Sequence, residues 1–159
     1  MRSAPKNQIS PKALTVWKLS SSVFHGISLL VVIGIYILKY FFDWPYWIPV
    51  SVTIVWAISA ILSIFIIPKL RHRIWRYEVF EHEIDLQFGV FVVKRVLVPM
   101  VRVQHVDTQQ GPLLKKYKLA TVTISTAATT HVIPALNLEE ADQLRDFISK
   151  LARVTDDDV

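Results

Sequence analysis

In the stretch RVQHVDTQQGPLLKKYKLATVTIST, residues 102–126, His105 and Asp107 stand two positions apart. Residues at that spacing share a face of a strand, so the imidazole and the carboxylate could act together as an oriented base of the kind a hydrolase uses. The same spacing equally suits a surface ion pair at a strand end, followed by Gln109 and Gln110 holding a turn. Local spacing places no serine or threonine nucleophile beside the pair, and Ser125 is distant in sequence on a threonine-rich face. The surface pair is the favoured reading.

Metal chemistry fares no better. His82-Glu83 begins like a zinc-protease motif, but the second histidine would have to stand at position 86, which is Leu86. His82, His105 and His131 show no ligand spacing. The absence of cysteine removes thiol nucleophiles, thiolate metal sites and disulfides. No catalytic, cofactor-binding or metal-ligating residue is assigned, and no small-molecule substrate is implied.

The remaining chemistry in the stretch is basic. Gly111-Pro112 can open a helical turn with proline at its first position. Leu113, Leu114 and Tyr117 would then face inward while Lys115, Lys116 and Lys118 face solvent. Such lysines could meet anionic headgroups, at about 1 kcal/mol each near a membrane surface, or could simply keep a domain soluble. Gln104, His105, Asp107, Gln109, Gln110, Lys115, Lys116 and Lys118 are therefore the candidate contact residues for a partner or a lipid. Nucleic acid is not implied, because the basic residues are dispersed and carry no recognition motif.

These residues must be positioned by the rest of a chain of 159 residues, which is 52% hydrophobic with a net charge of +5. That composition belongs to a membrane protein. From Leu19 to about residue 40 the run is nearly uncharged, and from Trp47 to Ile67 no charge occurs. Each run is near the ~20 residues a helix needs to cross the hydrocarbon core. A signal peptide is disfavoured, since no small-residue cleavage site follows and a second span arrives at once. The short aromatic link Lys39 to Tyr46 suits an interfacial hairpin turn.

Orientation follows from the flanking cations. A basic tail, residues 1–18, carries Arg2, Lys6, Lys12 and Lys18, and a juxtamembrane linker, residues 68–73, carries Lys69, Arg71 and Arg73, with Arg76 just beyond. The hairpin loop has only Lys39 and Asp43. The positive-inside rule then places both termini in the cytoplasm. Ser22 and Gly26, Ser59 and Ser63, with Gly34 and Ala60, offer small surfaces for packing the spans on each other or on a partner. His25, inside span one with no acidic partner in either span, reads as structural rather than as a proton relay.

From residue 74 to residue 152 the pattern is that of a small α+β domain. Trp75, Tyr77 and Val79 alternate with Arg76 and Glu78, and Ile84, Leu86 and Phe88 alternate with Asp85 and Gln87. Val90 to Val93 reads as a more buried run, Pro99 as a strand edge, and Val101 with Val103, Val122 to Thr126 and His131 to Ile133 as further strands. Leu138, Ala141, Leu144, Ile148 and Leu151 then share one helical face, opened by a capping box of Asn137 and Glu140. Residues 153–159 form an acidic tail.

Two apolar spans, a basic exit, RYEVFEHEIDLQFGVF, VQHVDTQQGPLLKKYKLATVTISTA and a PxL-helix ending together resemble the bacterial pleckstrin-homology (PH)-like membrane proteins, of the short YdbS-like kind. The resemblance covers Trp17 to Leu151. It implies a PH-like antiparallel sheet or barrel with a C-terminal amphipathic helix, placed behind a membrane α-helical hairpin in a bacterial cell membrane. It also implies partnership with a larger membrane protein carrying several such units, and for some members protection of the envelope against antimicrobial peptides. One departure is Lys118, where the family pattern leads one to expect glycine. A backbone needing positive φ there would be strained by lysine, so the turn is expected to differ locally. The reading that results is a non-catalytic membrane protein with a cytoplasmic interaction module. The alternatives are anionic-lipid sensing by the basic loop and a membrane-anchored hydrolase.

Overall fold

A computed structural model describes residues 3–157. Arg2 of the basic tail and Asp158 and Val159 of the acidic tail lie outside them. The chain forms two compact units, one of Trp17–Lys69 and one made from the residues up to Val16 together with those from Leu70 onward.

The first unit is helical. Helix α1 spans Lys12–Phe42 and α2 spans Trp47–Ile61; a π-helical turn, Leu62–Ile66, leads from α2 into α3, Ile67–Ile74. Both hairpin arms are long and apolar enough to cross a membrane. Each outruns its apolar stretch, because the basic residues beyond Leu19 and Ile67 are good helix formers that carry the ladder onward. Asp43, with φ of 50°, makes the turn between the arms.

The small residues divide. A methyl placed on Gly26 or Gly34 would touch nothing within 4 Å, and Ser22 is exposed, whereas Ser59 and Ser63 reach His25 across the arms. Hydrogen bonds thus join the two helices. Trp56 Nε1 donates to Ser28 Oγ at 2.9 Å, and the Tyr36 and Thr53 hydroxyls lie 3.2 Å apart. His25 is buried, with Nδ1 2.9 Å from the Ser21 carbonyl and Nε2 3.3 Å from Ser63 Oγ. All its partners are neutral. Ser63 sits in the π-helical turn, where the wider ladder brings its hydroxyl to the imidazole.

The second unit holds two antiparallel sheets. Strands β1 (Asn7–Gln8), β2 (Arg76–Val79), β3 (Glu83–Phe88) and β4 (Lys94–Pro99) pair in that order. A 3-10 turn, Met100–Arg102, leads to β5 (Val103–Gln109), helix α4 (Pro112–Lys116), β6 (Leu119–Thr126) and β7 (Thr130–Asn137), with the second sheet ordered β5-β6-β7. Helix α5, Leu138–Asp157, packs on β5 and β6. The core is drawn from every layer, including Trp75, Leu86, Met100, Ile124, Leu136 and Ile148.

Several expectations are corrected here. The N-terminal residues are no free tail: Asn7 and Gln8 pair with Tyr77 and Arg76, and Pro5, Ile9, Ala13 and Val16 are buried. A strand of two residues has no periodicity of its own to announce it. Asp85 does not face solvent. It is 2% exposed, and Arg95 Nε lies 3.0 and 3.1 Å from its two oxygens while Arg95 Nη2 also donates to the Ser3 carbonyl. Val90 to Val93 is not a buried run but the turn between β3 and β4. Gly89 turns the chain there at φ of 130°, and a Cβ at that position would stand 2.0 Å from the Val92 carbonyl oxygen. The acidic tail, which has no periodicity to suggest structure and is expected to fray, is helical as far as Asp157.

The capping box also fails to form, because tertiary partners claim both side chains. Ser10 Oγ donates to Asn137 Oδ1 at 3.3 Å, and the Tyr77 hydroxyl donates to Glu140 Oε1 at 2.6 Å. Burial first, and then the Glu140 bond, push the Tyr77 phenol well above its ordinary value of 10.0. A raised folded value stabilises the fold fully below about pH 10, and that stabilisation is lost as pH rises further. Tyr77→Phe is expected to lose about 1.5–3 kcal/mol at neutral pH, as for a hydrogen bond to a charged group. Its melting temperature should then fall less steeply than the wild type's above pH 10.

Candidate interaction surface

Pro99 ends β4, and the 3-10 turn that follows is pinned by Met100, fully buried, whose N–H donates to the His82 carbonyl at 2.9 Å. The chain therefore enters β5 as the outer strand of its sheet, paired on one side only, with β6. Period-two alternation sets the faces. Val106 and Thr108 lie opposite Ile124 and Val122 on the core side, while His105, Asp107 and Gln109 lie opposite Ser125, Thr123 and Thr121 on the outer side.

The structure brings His105 and Asp107 together, with Nε2 and Oδ1 2.7 Å apart and the side chains 67% and 45% exposed. An exposed pair of this kind contributes at most about 1 kcal/mol. Ser125 is the residue directly across from His105, yet among the described residues no hydroxyl hydrogen-bonds the imidazole. The arrangement thus supplies a base and its orienting group without an engaged nucleophile. His131 is occupied elsewhere, its Nε2 3.0 Å from Thr129 Oγ1. Among the described residues no group of three His, Cys, Asp or Glu side chains is placed to hold a metal.

Gln104 and Gln109 are exposed on β5. Gln110 turns back, donating from Nε2 to the Leu119 carbonyl at 2.8 Å, and so closes the loop that carries α4. Pro112 begins that helix. Leu113, Leu114 and Tyr117 are half-buried, and Lys115, Lys116 and Lys118 are exposed.

Lys118 holds a φ of 54°. The turn keeps the left-handed backbone for which glycine was expected, rather than changing shape to suit lysine. It is held there by neighbours, since the Lys118 N–H donates to the Lys115 carbonyl and the Lys118 carbonyl accepts from the Leu138 N–H, both at 3.1 Å. Lys118→Gly is expected to stabilise the fold by about 1 kcal/mol, the cost of a left-handed residue bearing a Cβ. Denaturant titration of the purified protein would show a higher midpoint at unchanged slope.

The membrane-flank cations separate. Lys69, Arg71 and Arg73 lie on α3, whereas Arg76 starts β2 and donates to the Pro5 carbonyl at 3.5 Å. Sequence reasoning missed Phe91, Val92 and Val93, which are 91%, 69% and 55% exposed. Gly89 before them and Lys94 after them were the available signals of a turn.

Residues 19–152 match the family described as Bacterial PH domain. The chain is 65% identical to the UPF0699 transmembrane protein YdbS of Bacillus subtilis (strain 168) over 159 residues, covering 100% of both chains. It is 24% identical over 107 residues to the UPF0699 transmembrane protein YdbT of the same organism, a match covering 65% of this chain and 20% of that protein. No solved structure matches.

Proposed function

The chain belongs to the bacterial PH domain family, and from that premise we propose that it is a non-catalytic two-span membrane protein whose PH-like unit docks a second membrane subunit. The observation that carries this is the outer strand β5, whose Gln104, His105, Asp107 and Gln109 are set out along an edge paired on one side only. Strand addition to such an edge draws on backbone hydrogen bonds and needs no special side chains. The partner envisaged is a larger family member with several such units. The partial match to YdbT, in which the shared segment is 20% of the protein, fits that size relation. A part in protecting the envelope against antimicrobial peptides rests on the family resemblance.

Both termini are read as cytoplasmic. Pairing of β1 with β2 requires the residues before α1 and after α3 to share one side of the membrane, and the cations on those flanks select the cytoplasm. Anionic-lipid contact by Lys115, Lys116 and Lys118 is a second reading. In its favour, Lys118 meets Leu138, and the adjoining Asn137 meets Ser10 just before α1 begins.

Purification of a tagged full-length copy in mild detergent, followed by identification of co-purifying membrane proteins, tests the docking reading. A larger PH-unit protein should accompany it in fixed ratio. Recovery of the chain alone as a stable monomer overturns the proposal.

A further inference from the structure

The β3–β4 turn exposes Phe91, Val92 and Val93 in succession, at 91%, 69% and 55%. Scattered single apolar residues on a surface are ordinary, but three in a row at a tip mark a contact. The turn is built rather than frayed. Gly89 supplies the one backbone conformation that lets Val92 approach, and Phe88 pairs with Lys94 across its base.

Its place in the sheet points to the occupant. Arg76, the first residue of β2, pairs with Gln87, and Phe88 stacks on Trp75 with ring centroids 6.0 Å apart. Trp75 follows directly on α3. The tip therefore lies at the end of the sheet where the chain arrives from its second apolar helix, and it points back against the direction of β2. The tip extends roughly 10 Å beyond Arg76 if three residues rise ~3.3 Å each. Lys94 at the base of the turn and Arg71 and Arg73 in the last turn of α3 are cations of the kind that attract anionic headgroups.

We infer that the Phe91–Val93 tip inserts into the bilayer surface, as a membrane contact made by the PH-like unit in addition to the two spans. The inference rests on reading α1 and α2 as membrane spans and does not depend on the docking partner.

The cysteine-free chain allows a direct test. Phe91→Cys and, at the opposite end of the sheet, His82→Cys would each be labelled with an environment-sensitive fluorophore in the full-length protein. Each would be placed one chain per nanodisc, in phosphatidylglycerol–phosphatidylethanolamine and in phosphatidylcholine. The label at 91 should be blue-shifted in both lipids, quenched by spin-labelled lipid, and several-fold less accessible to iodide than the label at 82. Equal iodide quenching at the two positions overturns the inference, as does protection that arises only with two chains per disc, which would assign the tip to a second copy. Because the label is itself apolar, Val93→Cys with a small polar spin label gives an independent reading. Equal collision with oxygen and with an aqueous nickel chelate in that variant would equally overturn it.

Discussion

Arg95→Met is expected to unfold the PH-like unit. Asp85 is 2% exposed, and Arg95 engages both of its carboxylate oxygens. Methionine fills much of the same volume but leaves the carboxylate buried without a cation. Stranding a buried charge in this way costs about 3–5 kcal/mol, much of the 5–15 kcal/mol that holds a typical domain together. Replacing both partners, Asp85→Leu with Arg95→Met, should recover most of the loss, because paired apolar substitutes avoid the desolvation penalty. Thermal unfolding of the two variants in detergent separates this account from simple loss of packing. If the double variant is no more stable than the single one, the carboxylate is not what makes the arginine necessary.

Ile9→Ala is expected to cost about 2–5 kcal/mol, as truncation of a buried isoleucine does. Asn7→Ala, two positions earlier on the exposed side, should change stability by less than about 0.5 kcal/mol. Ile9 is 1% exposed, and the strand that precedes it pairs with β2. A fragment beginning at residue 69 would lack β1 and the buried Pro5, Ile9, Ala13 and Val16, so binding measurements on such a fragment would report on an incomplete core. Parallel melting curves of the two variants check the contrast, and equal losses would mean that the segment acts only through its backbone.

These two residues also mark the boundary of what the sequence discloses. Alternation exposes β2 and β3, and the 3.6-residue period exposes α5, because each presents a repeating face to the core. Asp85 follows the same alternation and reads as solvent-facing. It is buried beneath Arg95, which reaches over it from β4 and is itself held by the Ser3 carbonyl. Val90 to Val93 misleads in the opposite sense, since an apolar run has the same composition whether a sheet covers it or a turn displays it. At the candidate surface, the meeting of His105 with Asp107 follows from their spacing. That no hydroxyl among the described residues engages the pair depends on the β5–β6 register and on side-chain directions, which spacing cannot supply. Asn137 and Glu140 had a capping pattern, and tertiary partners outcompeted it.

Because β1 precedes α1 and its partner β2 follows α3, the sheet closes only after both helices have been synthesised. During translation the first strand must wait while the hairpin enters the bilayer. If only one arm inserted, β1 and β2 would be left on opposite sides and the sheet could not form. Correct topology and a folded domain are thus a single event in the birth of this protein. Chains with only one arm inserted would carry an unfinished sheet, with Ile9 detached from its core.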